Sequence, residues 1–363
     1  MGREVARPAP SPRARVFVAQ PSLLYRTLRW LSRWAVRWIF RDVQIGGDPV
    51  PARGPVLLVV NHPNELCDIL LTFAVTPRPI HFVGAIAHAA SPVVAAALRA
   101  IGAVFVYRAH ERTTAPDADA ANRDAMQQML AVLERGGVLA IFPEGGVRRD
   151  DPIGRLQPGA AALALRAVRE AGVSSLTLVP VGIGYADPDV VRGVARVTIG
   201  APLDVAAWDR DTHGPEATTR AARRTEVAAL LTTVADRLGS CARASRHEAR
   251  AQERTPSWPV ARLLAALPVA AWGALTHAPA FVAVLALGRA TMRDPVERLG
   301  RLAVPGVVPM LLWYAALGTG TLLLVRRDLV PLWLVLPLFL TLPHAAWLAL
   351  RWADAWRART RTA

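Results

Sequence analysis

A histidine and an aspartate stand six positions apart where an apolar run ends, in the stretch "VVNHPNELCDIL" (59–70). Pro63 and Asn64 lie between them and are turn-forming residues. A turn is needed, because six positions along an unbroken helix would point the two side chains apart. With such a turn, Asp68 accepts a hydrogen bond from one nitrogen of His62 and leaves the other nitrogen as a base. The stretch therefore predicts a base–carboxylate pair at the exit of a strand.

A second interpretation of the same stretch is purely structural. His62 then closes the strand and Asp68 caps the following helix, since aspartate is a preferred capping residue. Spacing alone favours this second interpretation, so residues elsewhere in the chain have to decide.

The stretch lies in a region where strand-like and helical segments alternate, from about Val56 to Leu203. Apolar runs such as "PVLLVV", "GVLAIFPEG" and "LTLVPVGIGY" are typical of buried strands. The alternation predicts an α/β domain with a largely buried sheet. His62 would stand at the rim of that sheet, where strand ends and loops build active sites. Helices are expected at 68–75, 91–100, 117–135, 158–171 and 215–238.

Four motifs occur in order along this region: "NHPNELCD" (61–68), "GAVFVYR" (102–108), "FPEGGVRRD" (142–150) and "VPVGIGY" (179–185). Together they resemble the four blocks of the glycerophospholipid acyltransferase family, over about residues 45–205. Members of that family acylate glycerol 3-phosphate, its lysophosphatidate product or related acceptors. The resemblance implies a mixed sheet flanked by helices and a base–carboxylate pair that is catalytic.

One spacing departs from most of the family, which places four residues between its histidine and aspartate. Here there are five, and a count of four ends on Cys67. The form "HPNxLxD", with "FPEGG" downstream, is similar to a branch that includes glycerol-3-phosphate acyltransferases. Asp68 is therefore taken as the partner of His62.

The resemblance also implies roles for these residues. His62 removes the proton from a glycerol hydroxyl that attacks an acyl thioester, and Asp68 orients it. Arg108, and Glu144 with Gly145, hold the phosphate-bearing glycerol. The branch usually has Ser-His-Asp after "FPEGG", but this chain has Val147, Arg148 and Arg149. The arginines keep anion binding, and Arg148 is added to the substrate-binding set.

The predicted reaction moves a fatty acyl group from coenzyme A or acyl carrier protein to lysophosphatidate in phospholipid biosynthesis. Glycerol 3-phosphate or another lyso-lipid is the alternative acceptor. No cofactor is expected beyond the acyl donor. A different class is a non-catalytic, lipid-binding membrane scaffold, for which the altered segment 147–149 is the only indication.

Composition narrows the classes of partner. The net charge of +15 over 363 residues comes from arginine alone, because the sequence has no lysine. Schiff-base and phosphate-cradling lysine chemistry is therefore excluded. The basic stretches "RAHER" and "RHEARAQER" lack interleaved aromatic residues, so nucleic acid is not expected. Anionic membrane lipid fits better. Two cysteines support no disulfide framework, and the His/Cys/Asp spacing predicts no metal site.

The N-terminal stretch "PSLLYRTLRWLSRWAVRWIF" carries arginines at helical spacing on one face and Leu, Ala and Trp on the other. This pattern predicts an amphipathic helix in the headgroup plane of an anionic membrane; a surface helix packed on the domain is the alternative. The chain is expected to divide into a disordered arm (1–20), an interfacial amphipathic helix (21–41), an acyltransferase domain (42–240), a charged connector (241–257), a hydrophobic membrane module (258–352) and a basic tail (353–363).

Three apolar stretches in the last third are each long enough to cross ~30 Å of hydrocarbon: 263–288, 302–325 and 329–350. Arginine-rich segments flank the second and third stretches on their outer sides. If these segments stay inside, the two stretches form a transmembrane hairpin with both ends cytoplasmic. The first stretch, with Pro268 and Pro279, is then a bent or re-entrant segment, and three full spans are the alternative. The catalytic domain is placed on the cytoplasmic face of the cell (inner) membrane.

Overall fold

A computed structural model describes most of the chain. The described residues are 22–86, 92–108, 111, 116–148, 153–188, 192–212, 219–252, 258–291 and 298–362. The predicted disordered arm (1–20) and Arg149 lie outside these ranges.

An eight-stranded sheet forms the centre of the fold. Its strands are β1 (Phe40–Gly47), β2 (Val56–Val60), β3 (Ile80–Ala85), β4 (Val104–Val106), β5 (Val138–Ile141), β6 (Thr177–Tyr185), β7 (Gly193–Ile199) and β8 (Leu203–Asp204). They lie in the order β1-β7-β6-β2-β5-β3-β4, and β8 pairs with β6 off this path.

The sheet is mixed, as the resemblance implied. Strands β6, β2, β5, β3 and β4 are parallel to one another, whereas β7 and β8 run antiparallel to β6, and β1 runs parallel to β7. The carboxyl ends of the five parallel strands therefore share one edge of the sheet. Loops leaving β2, β4, β5 and β6 meet the surface at that edge, where ligand sites of α/β folds are built.

The helices of the described residues are α1 (Leu23–Ile39), α2 (Glu65–Thr72), α3 (Pro92–Ala100), α4 (Ala118–Glu134), α5 (Gly159–Arg169), α6 (Val205–Thr212), α7 (Arg220–Ala251), α8 (Val260–Thr291), α9 (Arg298–Arg326) and α10 (Leu332–Thr362). Helices α1 and α2 lie on one face of the sheet, and α4, α5 and α7 lie on the other.

The continuous apolar run of β2 follows from burial on both faces. All five of its residues are fully buried. Leu57 and Val59 belong to the core cluster that α4, α5 and α7 contribute to, while Leu58 belongs to the cluster on the side of α1 and α2. Because successive strand residues point to opposite faces, a strand covered on both sides has no polar position.

The predicted charged connector differs from the structure over most of its length. Residues 241–251 continue α7, which packs along β6 and β7. Small inward residues make this approach close: a Cβ on Gly182 would lie 2.2 Å from the carbonyl carbon of Cys241, and the Ser245 hydroxyl donates to the Gly182 carbonyl at 2.8 Å. The charged residues that suggested a linker occupy the outer side of a docked helix.

Helix α1 packs on the domain through one narrow stripe. Tyr25, Ser32 and Val36 are buried, and the Tyr25 hydroxyl accepts a hydrogen bond from the Ile80 backbone N–H at 2.8 Å. Five other large apolar residues of the helix do not join this contact. Leu23, Leu24, Trp30, Leu31 and Trp34 are exposed.

The last third of the chain forms three long helices. Within the residues described, Val260–Ala283 of α8 is the one segment long and apolar enough to cross a membrane. Helix α8 continues through Pro268 and Pro279 without turning back, so the structure shows no re-entrant loop. It packs closely on α10, since a Cβ on Gly273 would lie 2.1 Å from the Ala345 carbonyl oxygen. The predicted hairpin of the second and third stretches stays a prediction.

Candidate active site

The structure brings His62 and Asp68 into direct contact. Residues 61–64 form the turn that their pairing needs, and α2 begins at Glu65. His62 Nδ1 lies 2.8 Å from Asp68 Oδ2. Asp68, in the first turn of α2, has no exposed surface. A carboxylate only accepts hydrogen bonds, so Nδ1 carries the proton in this contact and Nε2 carries the lone pair.

The structural interpretation of Asp68 also holds in part. Its Oδ2 accepts a second hydrogen bond, at 2.6 Å, from the backbone N–H of Asn64, the N-cap residue of α2. One oxygen thus satisfies a free donor at the helix start and holds the imidazole. Capping and orienting are performed by the same side chain.

The other oxygen of Asp68 binds Tyr185, at the end of β6. The phenol donates to Oδ1 at 2.5 Å, and both side chains lie in the core. Burial raises the pKa of Asp68, while the hydrogen bonds from His62, Tyr185 and Asn64 oppose that rise. Burial, with the nearby Asp68 charge, raises the pKa of Tyr185 well above its ordinary value. Tyr185 therefore stays protonated and remains a donor.

The loop after β5 holds His62 from the opposite side. Glu144 is buried, and its two oxygens accept from the backbone N–H groups of His62 and Gly154, each at 2.9 Å. The Arg148 N–H donates to the His62 carbonyl at 2.8 Å. Burial raises the pKa of Glu144, and its backbone donors oppose that rise. Glu144 therefore links the main chain at His62 to the main chain at Gly154.

One face of the His62 ring is covered by Phe142. The two rings stack with centroids 4.1 Å apart and planes 20° from parallel. The imidazole is 12% exposed. Within the residues described, Nε2 has no protein partner. The arrangement therefore offers one basic nitrogen at the carboxyl edge of the sheet.

Residues 42–184, which include this whole arrangement except Tyr185, match the family model described as Acyltransferase. The chain carries an acyltransferase-family domain. The chain is also similar to the crystal structure of the 1-acyl-sn-glycerophosphate (LPA) acyltransferase PlsC from Thermotoga maritima, at 18% identity and a TM-score of 0.40, over 58% of this chain and 78% of that one. No curated protein matches the chain. The family-model match over residues 42–184 confirms the prediction of an acyltransferase-family enzyme.

Two asparagines that the sequence did not assign to the site fix the strand exit. The Asn61 side chain forms two hydrogen bonds with the backbone of Ile183, accepting at 2.6 Å and donating at 2.9 Å. Asn64 donates from its side chain to the Pro188 carbonyl at 2.7 Å. Asn61 ties the His62 turn to β6, and Asn64 ties it to the segment that follows β6. Their sequence signals are their place inside the first motif and, for Asn64, its turn-forming residue type.

Cys67, the alternative that the usual spacing would select, points away from His62. It belongs to the buried cluster that includes Leu58 and Leu71. Burial and the neighbouring Asp68 raise the pKa of its thiol, so it stays a neutral core side chain. The structure joins His62 to Asp68 and not to Cys67.

The candidate substrate-binding residues separate into a near and a far group. Gly145 and the exposed Arg148 lie in the loop that is bonded to His62. Gly145 adopts φ +70°, which favours glycine. Arg108 follows β4, three strands from β2, a separation of about 14 Å at the usual strand spacing. Its backbone N–H donates to Glu111 at 2.7 Å. Arg108 shares the sheet edge with His62 but lies at its far end.

In the described part of the chain, no group of three or more His, Cys, Asp or Glu side chains is placed to hold a metal ion.

Proposed function

We propose that the chain is a membrane-bound O-acyltransferase that moves a fatty acyl group from coenzyme A or acyl carrier protein to the free hydroxyl of lysophosphatidate. The observation that carries this proposal is the 2.8 Å contact between His62 Nδ1 and Asp68 Oδ2, which leaves Nε2 without a protein partner in the described residues. A neutral imidazole oriented by a buried carboxylate is suited to remove a proton from an alcohol.

In the proposed reaction, Nε2 of His62 takes the proton of the acceptor hydroxyl as its oxygen attacks the thioester carbonyl. Asp68 stabilises the imidazolium that forms, because its Oδ2 already accepts from Nδ1. The new carbon–oxygen bond forms, the carbon–sulfur bond breaks, and the imidazolium returns its proton to the leaving thiolate. His62 ends neutral, and the products are an ester and a free thiol.

The acceptor's phosphate is assigned first to Arg148 and the backbone around Gly145. Arg148 is exposed, and its main chain is bonded to that of His62, so its guanidinium can bind a phosphate beside the reacting hydroxyl. Arg108 lies about three strand spacings away and is assigned a weaker contact with the substrate. Glu144 is assigned no substrate contact and acts through the His62 backbone, because its two oxygens already accept hydrogen bonds from the His62 and Gly154 N–H groups.

Membrane attachment is assigned to α1 and the C-terminal helices. The outward face of α1 exposes Leu23 (79%), Trp30 (64%) and Trp34 (50%), with arginines along one side. Such a face is suited to the headgroup region of an anionic bilayer. Val260–Ala283 supplies a candidate span. A site held at the interface receives a lipid acceptor from the membrane and a thioester from the cytoplasm, on the cytoplasmic face of the inner membrane.

The deciding experiment is an assay of the purified protein with acyl-CoA and acyl carrier protein as donors, against lysophosphatidate and glycerol 3-phosphate as acceptors. We expect phosphatidate from lysophosphatidate, and loss of about 10²–10⁴ in rate for His62→Ala, the usual share of a general base. His247→Ala, in α7, is the matched control and should keep its rate.

Four results would change the proposal. Faster acylation of glycerol 3-phosphate would place the activity one step earlier in phospholipid biosynthesis. Faster acylation of another lyso-lipid would change the class of acceptor. Retention of full activity by a folded His62→Ala protein would show that His62 is not the base. No transfer by the native protein to any acceptor favours a lipid-binding scaffold.

A further inference from the structure

A cavity of about 950 Å³ lies where the acyltransferase domain meets the C-terminal helices. Its walls come from the end of α1, the start of β1, the end of α7 and the last part of α10. Phe40 in this wall stacks on Tyr185, with 5.6 Å between ring centroids. The cavity is therefore one aromatic pair away from Asp68, but neither Asp68 nor His62 lines it. We call it the junction cavity.

Each acidic residue that lines the junction cavity forms an ion pair with a buried arginine. Asp42 lies 2.5 Å from Nη2 of Arg196, and Asp354 lies 3.0 Å from Nη2 of Arg192. Both arginines are buried. Arg192 also donates to the Phe40 carbonyl at 2.9 Å, so its pairing joins α10 to the start of β1. These ion pairs build the wall and leave no net negative charge on it.

Three further arginines line the cavity, Arg37, Arg41 and Arg351, and the first and last of them give it an excess of positive charge. Within the part of the chain that the structure describes, neither Arg37 nor Arg351 forms an ion pair. The Arg351 guanidinium lies over the rings of Trp347 and Trp258, 4.7 and 5.9 Å from their centroids. These cation–π contacts hold it at the wall. A guanidinium fixed in this way matches the geometry of a phosphate.

The rest of the lining is apolar, including Val36, Phe40 and Ala355 beside the two tryptophans. A free phosphate would satisfy the arginines but leave this wall uncovered. The cavity also lies between two elements suited to lipid: the exposed apolar face of α1 and the candidate span that begins at Val260. A ligand with an anionic head and an apolar body, supplied by the membrane, fits both parts.

We propose that the junction cavity binds the headgroup of an anionic membrane phospholipid. The phosphate lies on Arg37 and Arg351, and the glycerol and upper acyl chains lie against Trp258, Trp347 and Val36. The bound lipid joins α1, the acyltransferase domain and α10 at one point. Anionic lipid thereby fixes the domain on the membrane surface, and this binding needs no acyl transfer.

The test is native mass spectrometry of the full chain in neutral detergent, titrated with dioleoyl phosphatidylglycerol or dioleoyl phosphatidylcholine. We expect the native protein to bind one phosphatidylglycerol at least about tenfold more tightly than phosphatidylcholine, the scale of one charged hydrogen bond. The double variant Arg37→Gln/Arg351→Gln should lose that preference. Arg326→Gln/Arg327→Gln is the matched control, because it removes two exposed arginines from the turn between α9 and α10.

A second variant tests the cavity without changing charge. Ala251 lines the cavity at the exposed end of α7, so Ala251→Phe should fill part of it and weaken phosphatidylglycerol binding while the fold is kept. Inorganic phosphate and coenzyme A are added as competitors to distinguish a soluble ligand. The proposal is overturned if both double variants lose binding equally, if Ala251→Phe binds like the native protein, or if either soluble competitor displaces the lipid.

Discussion

The phenol of Tyr185 donates a 2.5 Å hydrogen bond to Oδ1 of Asp68, on the carboxylate whose other oxygen holds His62. The two residues are 117 positions apart, on β6 and α2. The parallel pairing of β2 with β6 brings them together. Tyr185 thus fixes the position of Asp68 and touches neither His62 Nε2 nor the expected place of the substrate.

Tyr185→Phe should reduce kcat and leave KM nearly unchanged. The buried Oδ1 loses its donor, which costs about 1–3 kcal/mol and corresponds to a rate loss of about 5–150-fold if it is felt in the transition state. The Asp68 pKa, already raised by burial, rises further without this donor. The acid limb of the kcat/KM profile should therefore move to higher pH. A variant that lost stability but kept the native pH profile would show that Tyr185 is only structural.

Asp68→Asn and Cys67→Ala should show which of the two residues is the functional partner of His62. The asparagine can present its amide N–H to His62 Nδ1 and favour the wrong tautomer, so activity should fall by about 10²–10⁴. Cys67 packs in the core, so Cys67→Ala should lower thermal stability modestly and leave the rate per folded molecule close to native. Thermal melts and initial rates on both proteins check this. The opposite ranking of rates would identify Cys67 as the residue that matters.

The central strands could be predicted because their burial is complete. "VLLVV" has no polar position, and its apolar run appears directly in the sequence. β1 could not be predicted in the same way. Its sequence "FRDVQIGG" is charged and its second half is exposed, because it lies at the edge of the sheet. The C-terminal part of α7 was missed for a related reason. Its buried contacts use small residues facing glycines, and small residues carry little hydrophobic signal.

In the candidate site, the contact between residues close in sequence could be predicted, and the contacts between distant residues could not. The pairing of His62 with Asp68 follows from a short turn, so spacing and turn chemistry were sufficient to suggest it. The contacts of Tyr185 and Glu144 depend on the order of strands in the sheet. Motif order placed both residues in the right blocks but could not say what they bind. Glu144 was predicted as a substrate contact, and its geometry instead supports positioning of the main chain.

Arg148→Gln should weaken acceptor binding more than Arg108→Gln. Arg148 lies in the loop bonded to His62, so loss of its charge should raise KM for lysophosphatidate by about tenfold, the scale of one charged hydrogen bond. Arg108 lies about three strand spacings away, and its replacement should have a smaller effect. Steady-state kinetics with varied lysophosphatidate at saturating donor measure both values. An equal or larger effect at Arg108 would place the phosphate at the β4 end of the sheet edge.

Gly154→Ala should disable the loop that holds His62, although residue 154 needs to touch no substrate. A Cβ at this position would lie 2.8 Å from Glu144 Oε2 and 2.9 Å from Arg148 Cγ. The methyl group therefore pushes Glu144 off the Gly154 N–H and disturbs its bond to the His62 N–H, each worth about 1 kcal/mol or more. We expect a loss of kcat of about tenfold or more, and a lower melting temperature.

Gly146→Ala is the matched control, because a Cβ there meets nothing within 4 Å and the residue lies in the same loop. Its rate and melting temperature should stay near native. The two variants differ only in where one methyl group is added, so they separate contact with Glu144 from general stiffening of a glycine-rich loop. If both variants lose activity to the same extent, the rate depends on the flexibility of the loop. The hydrogen bonds of Glu144 with the His62 and Gly154 N–H groups would then not determine the rate.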